Sequence, residues 1–242
     1  MPHLSDITTV ILAGGLGTRL RPVISDKPKV LAEVMGRPFL TYLLDQLFFA
    51  GIRKVILCTG YMGNRVQEVY GDTYKSLHLL YSHEDEPLDT GGALRLALPL
   101  IESDHVLVMN GDSYVNVDLN SYVDWFFHID RKASLVLVKA LDTSRYGMVK
   151  VKKDESILLF EEKGMAKDSG WINAGVYLVK TSLLKSIPSE KAFSIEREFF
   201  PSLVGKGLFG YQYKGTFIDI GTPESFNKAE KTLKSEFEYL SQ

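Results

Sequence analysis

An α/β fold is what this sequence predicts, and three observations predict it. Short β-rich apolar runs alternate with longer segments of helical period through the first half, the pattern of a mostly parallel sheet with helices on its faces. After Ala133 the runs lie closer together, which predicts antiparallel additions to that sheet. With 242 residues and 45% hydrophobic content, the chain can bury a full core. No internal repeat, low-complexity tract or Pro/Gly/Ser linker divides it. Residues 1–242 are therefore expected to form one domain, with a first half over 1–132 and a second over 133–242.

Thr8 to Ala13, Lys54 to Thr59, Leu77 to Ser82 and His105 to Asn110 read as the parallel strands. Between them Pro38 to Ala50, Gly63 to Tyr70 and Gly91 to Leu100 read as helices, so each strand returns to the sheet through a right-handed crossover. The topology is a Rossmann-like, mixed but mostly parallel sheet, without yet implying a dinucleotide. Ala133 to Ala140, Gly147 to Lys152, Ile157 to Glu161 and Trp171 to Lys180 are the expected antiparallel strands, covering one end of the sheet. Near the C-terminus, Thr222-Pro223-Glu224 supplies a capping hydroxyl, a proline at the first helical position and an acid in the first turn. Phe226, Ala229, Leu233, Phe237 and Leu240 then form an apolar stripe expected to pack on the body of the protein. A contact with a second copy is the lesser reading of that stripe and leaves a homo-oligomer open.

Net charge is -2, with Lys and Arg scattered, so no footprint for nucleic acid or an anionic membrane is visible. Cys58, the sole cysteine, lies inside Val55-Ile56-Leu57-Cys58 and reads as a buried, inert thiol. The N-terminus lacks a basic region ahead of its apolar stretch, and no apolar run approaches the roughly 18 residues of a membrane span. A cytoplasmic protein is expected. The five histidines are dispersed, which supports neither a zinc site nor a Ser-His-Asp relay.

Chemistry concentrates first in Leu12-Ala13-Gly14-Gly15-Leu16-Gly17-Thr18-Arg19-Leu20-Arg21-Pro22, directly after the first strand. Its glycines let backbone N–H groups approach a phosphate chain, and arginine adds a forked, permanently charged donor. Lys29, in Asp26-Lys27-Pro28-Lys29, adds a second cation. A P-loop is excluded because Gly-Lys-Ser/Thr is absent, and Leu20 stands where Gly-x-Gly-x-x-Gly needs its third glycine. Glycines alone need no ligand in a strand-to-helix turn; Arg19, Arg21 and Lys29 in one span shift the balance toward phosphate.

Val106-Leu107-Val108-Met109 ends in Asn110-Gly111-Asp112, placing Asp112 at the carboxyl end of a strand, where open α/β sheets bind ligands. Asp219, in Phe217-Ile218-Asp219-Ile220-Gly221-Thr222-Pro223, offers a second carboxylate. Two such ligands with phosphate oxygens and waters suit octahedral Mg²⁺. Asn-Gly-Asp is also a good turn, and Asp219 could cap a helix, although Thr222 is the better cap and leaves Asp219 without a structural duty. Glu84, in His83-Glu84-Asp85-Glu86-Pro87-Leu88-Asp89-Thr90-Gly91-Gly92-Ala93, is an acceptor suited to guanine, whose N1 and N2 donors lie side by side. A solvated acidic loop ahead of a helix would account for Asp85 and Asp89 as well.

Leu12 to Pro22 with the downstream Lys-Pro-Lys resembles the signature of the sugar-1-phosphate nucleotidyltransferase family, and the likeness runs from Val10 to about Phe226. The resemblance implies that residues 1–132 bind nucleotide and 133–242 bind sugar phosphate. It implies nucleotide contacts from Leu12, Ala13, Gly14, Gly15, Gly17, Thr18, Arg19, Glu84, Pro87, Thr90 and Gly91. Catalysis would fall to Arg19, Lys29 and Asp112, with Asp112 and Asp219 holding Mg²⁺. Arg145-Tyr146-Gly147-Met148-Val149 and Phe160-Glu161-Glu162-Lys163 match segments that line the sugar phosphate site. By that likeness Asn110, Gly111, Gly147, Glu162, Lys163, Asn173 and Glu196 hold the sugar phosphate. Gly175 belongs to the same sugar-facing strand, while Trp171, Val176 and Tyr177 read equally as core. Asp89 departs from the glycine usual in Glu-x-Glu-Pro-Leu-Gly-Thr.

The branch most resembled, the D-glycero-D-manno-heptose 1-phosphate guanylyltransferases, implies transfer of GMP from GTP to that sugar phosphate, with release of pyrophosphate, in nucleotide-sugar synthesis for surface polysaccharide. Mannose 1-phosphate guanylyltransferases and N-acetylmuramate 1-phosphate uridylyltransferases are the near alternatives. A regulatory homologue that binds a nucleotide sugar without turnover is the other class, which the presence of Arg19, Lys29, Asp112 and Asp219 opposes. Only small-molecule partners are expected.

Overall fold

The structure, a computed structural model, describes residues 2–20, 23–24, 26–129, 131–146, 148–160, 169–189 and 191–240, the side chains of 235–240 excepted. In chain order the elements are β1 (Thr8–Leu12), β2 (Glu33–Val34), β3 (Arg37–Pro38), α1 (Phe39–Phe49), β4 (Lys54–Thr59), α2 (Gly63–Tyr70), β5 (Thr73–Tyr74), β6 (Leu77–His83), α3 (Asp89–Ala97), β7 (His105–Asn110) and β8 (Ser113–Val115). They continue with α4 (Leu119–His128), β9 (Ala133–Ala140), β10 (Val149–Val151), β11 (Ile157–Phe160), β12 (Gly170–Lys180), α5 (Phe200–Leu203), β13 (Leu208–Tyr213), β14 (Phe217–Asp219) and α6 (Pro223–Leu240). Among the described residues, ten of these strands make one sheet.

The parallel heart is β7-β1-β4-β6, in register at Val10 with Ile56 on one side and Val108 on the other. Because strand side chains alternate, these runs serve two cores at once. Val10, Ile56, Val106 and Val108 meet α3 through Ala93, Leu94 and Ala97, and also Tyr177, Phe199 and Phe200. Ile11, Leu57, Leu107 and Met109 face the opposite layer with Leu40, Leu43 and Leu47 of α1, Tyr122 and Phe126 of α4, and Leu233 of α6. Both faces are covered, which is why the strands read as continuous apolar runs. Cys58 sits in the first core, and burial pushes its thiol pKa up, as an inert cysteine requires.

The second half extends the sheet rather than covering its end. β12 runs antiparallel to β7, β9 antiparallel to β12, and β13 parallel to β9. The edge of β7 offers unpaired backbone groups, and the second half satisfies them. β12 is irregular between Asn173 and Tyr177, and Gly175, with φ +78°, lies in that irregularity. Helix α4, capped by Asp118 accepting from Ser121 N–H at 2.9 Å, and strand β13 were not among the expected elements. α6 begins as anticipated, with Thr222 Oγ1 accepting from Ser225 N–H at 3.3 Å and Ala229 and Leu233 buried; the side chains of Phe237 and Leu240 lie outside the described residues.

Candidate active site

The site gathers at the carboxyl ends of β1, β4, β6 and β7. After β1, Ala13 is tied by its N–H to Cys58 O at 2.8 Å and Leu20 is buried, so Gly14 to Arg19 bow outward between two anchors. Gly17 takes φ +59°, a conformation open to glycine at little cost, and a side chain there would also press on Lys29 Cβ. Nothing lies within 4 Å of the space a Cβ would occupy at Gly15. Among the described residues the segment does not run into a helix: a single turn at Lys29–Leu31 precedes α1, so loop N–H groups and cations, not a helix terminus, face any anion. Gly15, Thr18 and Arg19 are exposed; Arg21 and Pro22 lie outside the described residues.

Strand pairing then assembles the charges. β14 pairs antiparallel with β8, setting Asp219 opposite Ser113, and Ile220 N–H donates to Asp112 O at 2.9 Å. Two aspartates more than a hundred residues apart thereby share one corner. The Lys29 ammonium bonds to Asp112 Oδ2. A Cβ built on Gly221 would stand 2.8 Å from Asp219 Oδ1, 3.6 Å from Lys29 Nζ and 3.7 Å from Arg19 Nη2, so this glycine leaves room for the cluster to close. Gly111 serves the same approach from the other side: its N–H donates to Leu12 O at 2.9 Å, and a side chain would strike that carbonyl.

Asp219 does have a structural duty, contrary to expectation. It accepts from Gly221 N–H at 2.8 Å, from Ser225 Oγ at 3.1 Å and from the Tyr146 hydroxyl, and it pairs with Arg145 at 3.3 Å. Burial and the adjacent Asp219 push the Tyr146 hydroxyl pKa up, so Tyr146 stays a neutral donor. No cluster of three or more His, Cys, Asp or Glu occurs among the described residues. Two hard carboxylates fit a cation that keeps water and phosphate oxygens as its other ligands, and do not form a closed protein cage.

Beside the loop opens a cleft of about 180 Å³ lined by Gly14, Leu16, Gly60, Tyr61 and residues 83–87. Glu84 is its half-buried acid. Its N–H donates to Thr59 O at 2.9 Å, and its Oε2 accepts from Leu88 N–H at 3.2 Å. Burial raises its carboxyl pKa, with the Leu88 N–H working in the opposite direction. Side chains at Gly14 or Gly60 would come within 2.6 and 2.7 Å of Glu84 Oε1, so both glycines are needed to admit the carboxylate. Pro87 lines the cleft, but Thr90 and Gly91 are turned away from it. Gly91 N–H donates to Phe193 O at 2.7 Å, and the Thr90 hydroxyl donates to Glu196 at 2.8 Å.

That last bond belongs to a network on the second half of the chain. Tyr177 OH accepts from Asn173 Nδ2 at 2.9 Å and Asn110 Nδ2 at 3.3 Å, and donates to Glu196 Oε1 at 3.2 Å. Ser194 and Thr90 supply Glu196 Oε2. Asn110, Asn173 and Glu196 are thus joined through a tyrosine that the sequence read equally as core. Burial, then the Glu196 charge, pushes the Tyr177 pKa far above that of a free phenol. Gly147, Glu162 and Lys163 lie outside the described residues. Gly60, Tyr61 and Ser225 were missed as site residues, whereas Arg145 and Tyr146 stood in a segment matched to the sugar phosphate site without a role of their own; for Gly60 and Tyr61 the signal was present, since they follow a buried parallel strand at its ligand-binding end.

Known proteins carry the same plan. A family model described as nucleotidyl transferase matches residues 8–236. The D-glycero-alpha-D-manno-heptose 1-phosphate guanylyltransferase of Aneurinibacillus thermoaerophilus is 35% identical over 226 residues, covering 93% of this chain and 97% of that protein. The mannose-1-phosphate guanylyltransferase of Mycobacterium tuberculosis is 35% identical over 94% of this chain, which spans 64% of its length. The crystal structure of HddC from Yersinia pseudotuberculosis complexed with GMP-PN superposes with a TM-score of 0.82 at 33% identity, covering 94% of this chain and 99% of that one. By the model that spans nearly its whole length, and by relatives above 30% identity, the chain belongs to the nucleotidyl transferase family.

Proposed function

We propose that this protein is a sugar-1-phosphate guanylyltransferase that joins GMP from GTP to D-glycero-D-manno-heptose 1-phosphate and releases pyrophosphate. The observation that carries the reading is the convergence of Arg19, Lys29, Asp112 and Asp219 around Gly221, beside a cleft lined by the half-buried acid Glu84. Relatives named for heptose and mannose 1-phosphate guanylyltransfer support guanine as the base. Glu84, an acceptor, meets the adjacent N1 and N2 donors of guanine, whereas uracil presents only one donor on that edge. Mannose 1-phosphate is the second reading, favoured by the relative from Mycobacterium tuberculosis.

In this mechanism the loop N–H groups and Arg19 bind the β and γ phosphates of GTP, and Lys29 neutralises the α phosphate. A sugar 1-phosphate is largely dianionic at neutral pH, its second pKa being about 6, so no base is needed. Its oxygen attacks the α phosphorus in line, the bond to the β-bridging oxygen breaks, and pyrophosphate leaves. Repulsion between the two anions is the main barrier, and the cations here oppose it. Asp112 and Asp219 would hold Mg²⁺, which when bound supplies further neutralisation of phosphate oxygens. Asn110, Asn173 and Glu196 orient the sugar. The continuous sheet supports one domain, and among the described residues no helix is long and apolar enough to cross a membrane; a cytosolic setting belongs to the same proposal.

The test is pyrophosphate release with Mg²⁺, crossing four nucleoside triphosphates with heptose, mannose, glucose and N-acetylmuramate 1-phosphates. GTP with the manno-heptose phosphate is expected to exceed every other pair; UTP preference would overturn the role given to Glu84.

A further inference from the structure

The lone pairs of Asp219 are divided unequally among its partners. Oδ1 accepts from Gly221 N–H at 2.8 Å and from Ser225 Oγ at 3.1 Å, which fills its two in-plane positions. On Oδ2 the Tyr146 hydroxyl takes one position. The other faces Arg145, whose Nη2 stands 3.3 Å from Oδ2, 3.4 Å from Oδ1 and 3.3 Å from Thr222 Oγ1. Charge-assisted bonds ordinarily run to about 2.7–2.9 Å, so this cation is held loosely among three acceptors. The Arg145 side chain is 39% exposed, on the loop between β9 and β10, whereas Asp219 is largely covered. Firm donors fix the plane of the carboxylate, and a loose, solvent-open cation covers the single oxygen site that a metal could use.

We propose that Arg145 is an exchangeable cation. A divalent ion entering between Asp112 and Asp219 displaces it from Asp219 Oδ2, and the released guanidinium binds the phosphate of the incoming sugar 1-phosphate. The inference rests on the reading of Asp112 and Asp219 as the metal carboxylates. The exchange balances charge: Asp219 trades one cation for another, and the dianionic phosphate gains one. A planar guanidinium suits this acceptor, because two of its N–H groups meet two phosphate oxygens at once. Tyr146 holds its neighbour within reach, the Arg145 guanidinium lying 5.2 Å from the Tyr146 ring centre. Metal and sugar phosphate therefore bind with positive coupling through one side chain.

Mn²⁺ binding followed by electron paramagnetic resonance tests the first half, in wild type, Arg145→Gln, Arg145→Lys and Asp219→Asn. Calorimetric binding of D-glycero-D-manno-heptose 1-phosphate, with and without Mn²⁺ and with a non-hydrolysable GTP analogue present, tests the second. Arg145→Gln should bind Mn²⁺ several-fold tighter and lose about 10-fold in sugar-phosphate affinity, with the Mn²⁺-dependent gain abolished and GTP-analogue binding unmoved. Arg145→Lys should restore part of that gain. Arg145→Gln that binds Mn²⁺ no better, or that keeps the full metal-dependent gain, overturns the exchange while leaving the metal assignment intact if Asp219→Asn loses Mn²⁺. Wild-type Mn²⁺ affinity in Asp219→Asn removes the metal assignment itself, and the exchange with it.

Discussion

Replacing Tyr177 with phenylalanine deletes one oxygen from a ring that is fully buried and packs edge-on against Phe200 at 4.9 Å. The ring contacts persist, so what changes is hydrogen bonding. Asn173 and Asn110 each lose an acceptor, and Glu196 loses a donor to a charged oxygen. Each neutral bond is worth about 1 kcal/mol and the charged one about 1.5 kcal/mol, so the variant should lose about 3.5 kcal/mol. For a chain of this size that lowers Tm by roughly 7–14 °C. Glu196 keeps Thr90 and Ser194 but no longer has Oε1 fixed, so the KM for the sugar 1-phosphate should rise about 10-fold, a loss of about 1.4 kcal/mol. GTP should be unaffected, because the Glu84 cleft shares none of these bonds. Thermal melts and steady-state kinetics against each substrate measure both effects. A Tm change under about 2 °C, or equal rises in both KM values, would refute the view that this hydroxyl holds the sugar-side acceptors in place.

Lys29→Met should cut kcat by about 10²–10³-fold with the melting curve little changed, since removing a preorganised transition-state donor costs on that order; near-normal turnover removes Lys29 from the mechanism. Gly60→Ala places a methyl 2.7 Å from Glu84 Oε1 and 3.0 Å from Gly14 O, and should raise the KM for GTP about 10-fold in a folded protein. Glu84 must be ionised to accept from guanine, and burial raises its pKa. GTP affinity should consequently fall with decreasing pH at a higher pH than a free glutamate, near 4.3, would give, and Glu84→Gln should abolish that dependence in a pH series of nucleotide titrations. An unchanged acid limb in the glutamine variant would assign the titration to another group.

The parallel half of the fold was legible because burial on both faces leaves a strong mark. Val55-Ile56-Leu57 and Val106-Leu107-Val108-Met109 are apolar at every position, and each became a central strand at the expected residues. The second half was legible as strands but not as an arrangement. Antiparallel pairing of β12 to β7 depends on which edge remains open after β1, β4 and β6 have assembled, and no local pattern states that. α4 was overlooked although Leu119, Tyr122, Val123 and Phe126 recur at helical spacing behind the Asp118 cap. There the signal was present and unread.

For the site, the sequence yields the chemistry of single residues and withholds their pairing. Arg19, Lys29, Asp112 and Asp219 could be named from residue type and context, yet their convergence is a product of register. Sliding β14 by one residue against β8 would move Asp219 off Ser113 and turn its side chain to the opposite face, separating the two carboxylates. Glycines expose the same dependence in another form. Gly14, Gly60 and Gly111 are separated by tens of residues, but each is small because a group from another element stands where its Cβ would be. Tyr177 shows the limit most clearly. In Trp171-Ile172-Asn173-Ala174-Gly175-Val176-Tyr177 it reads as an inward-facing strand residue, which it is. Its hydroxyl gains a role only because the irregularity at Gly175 and the path of residues 193–196 bring Asn173 and Glu196 to it.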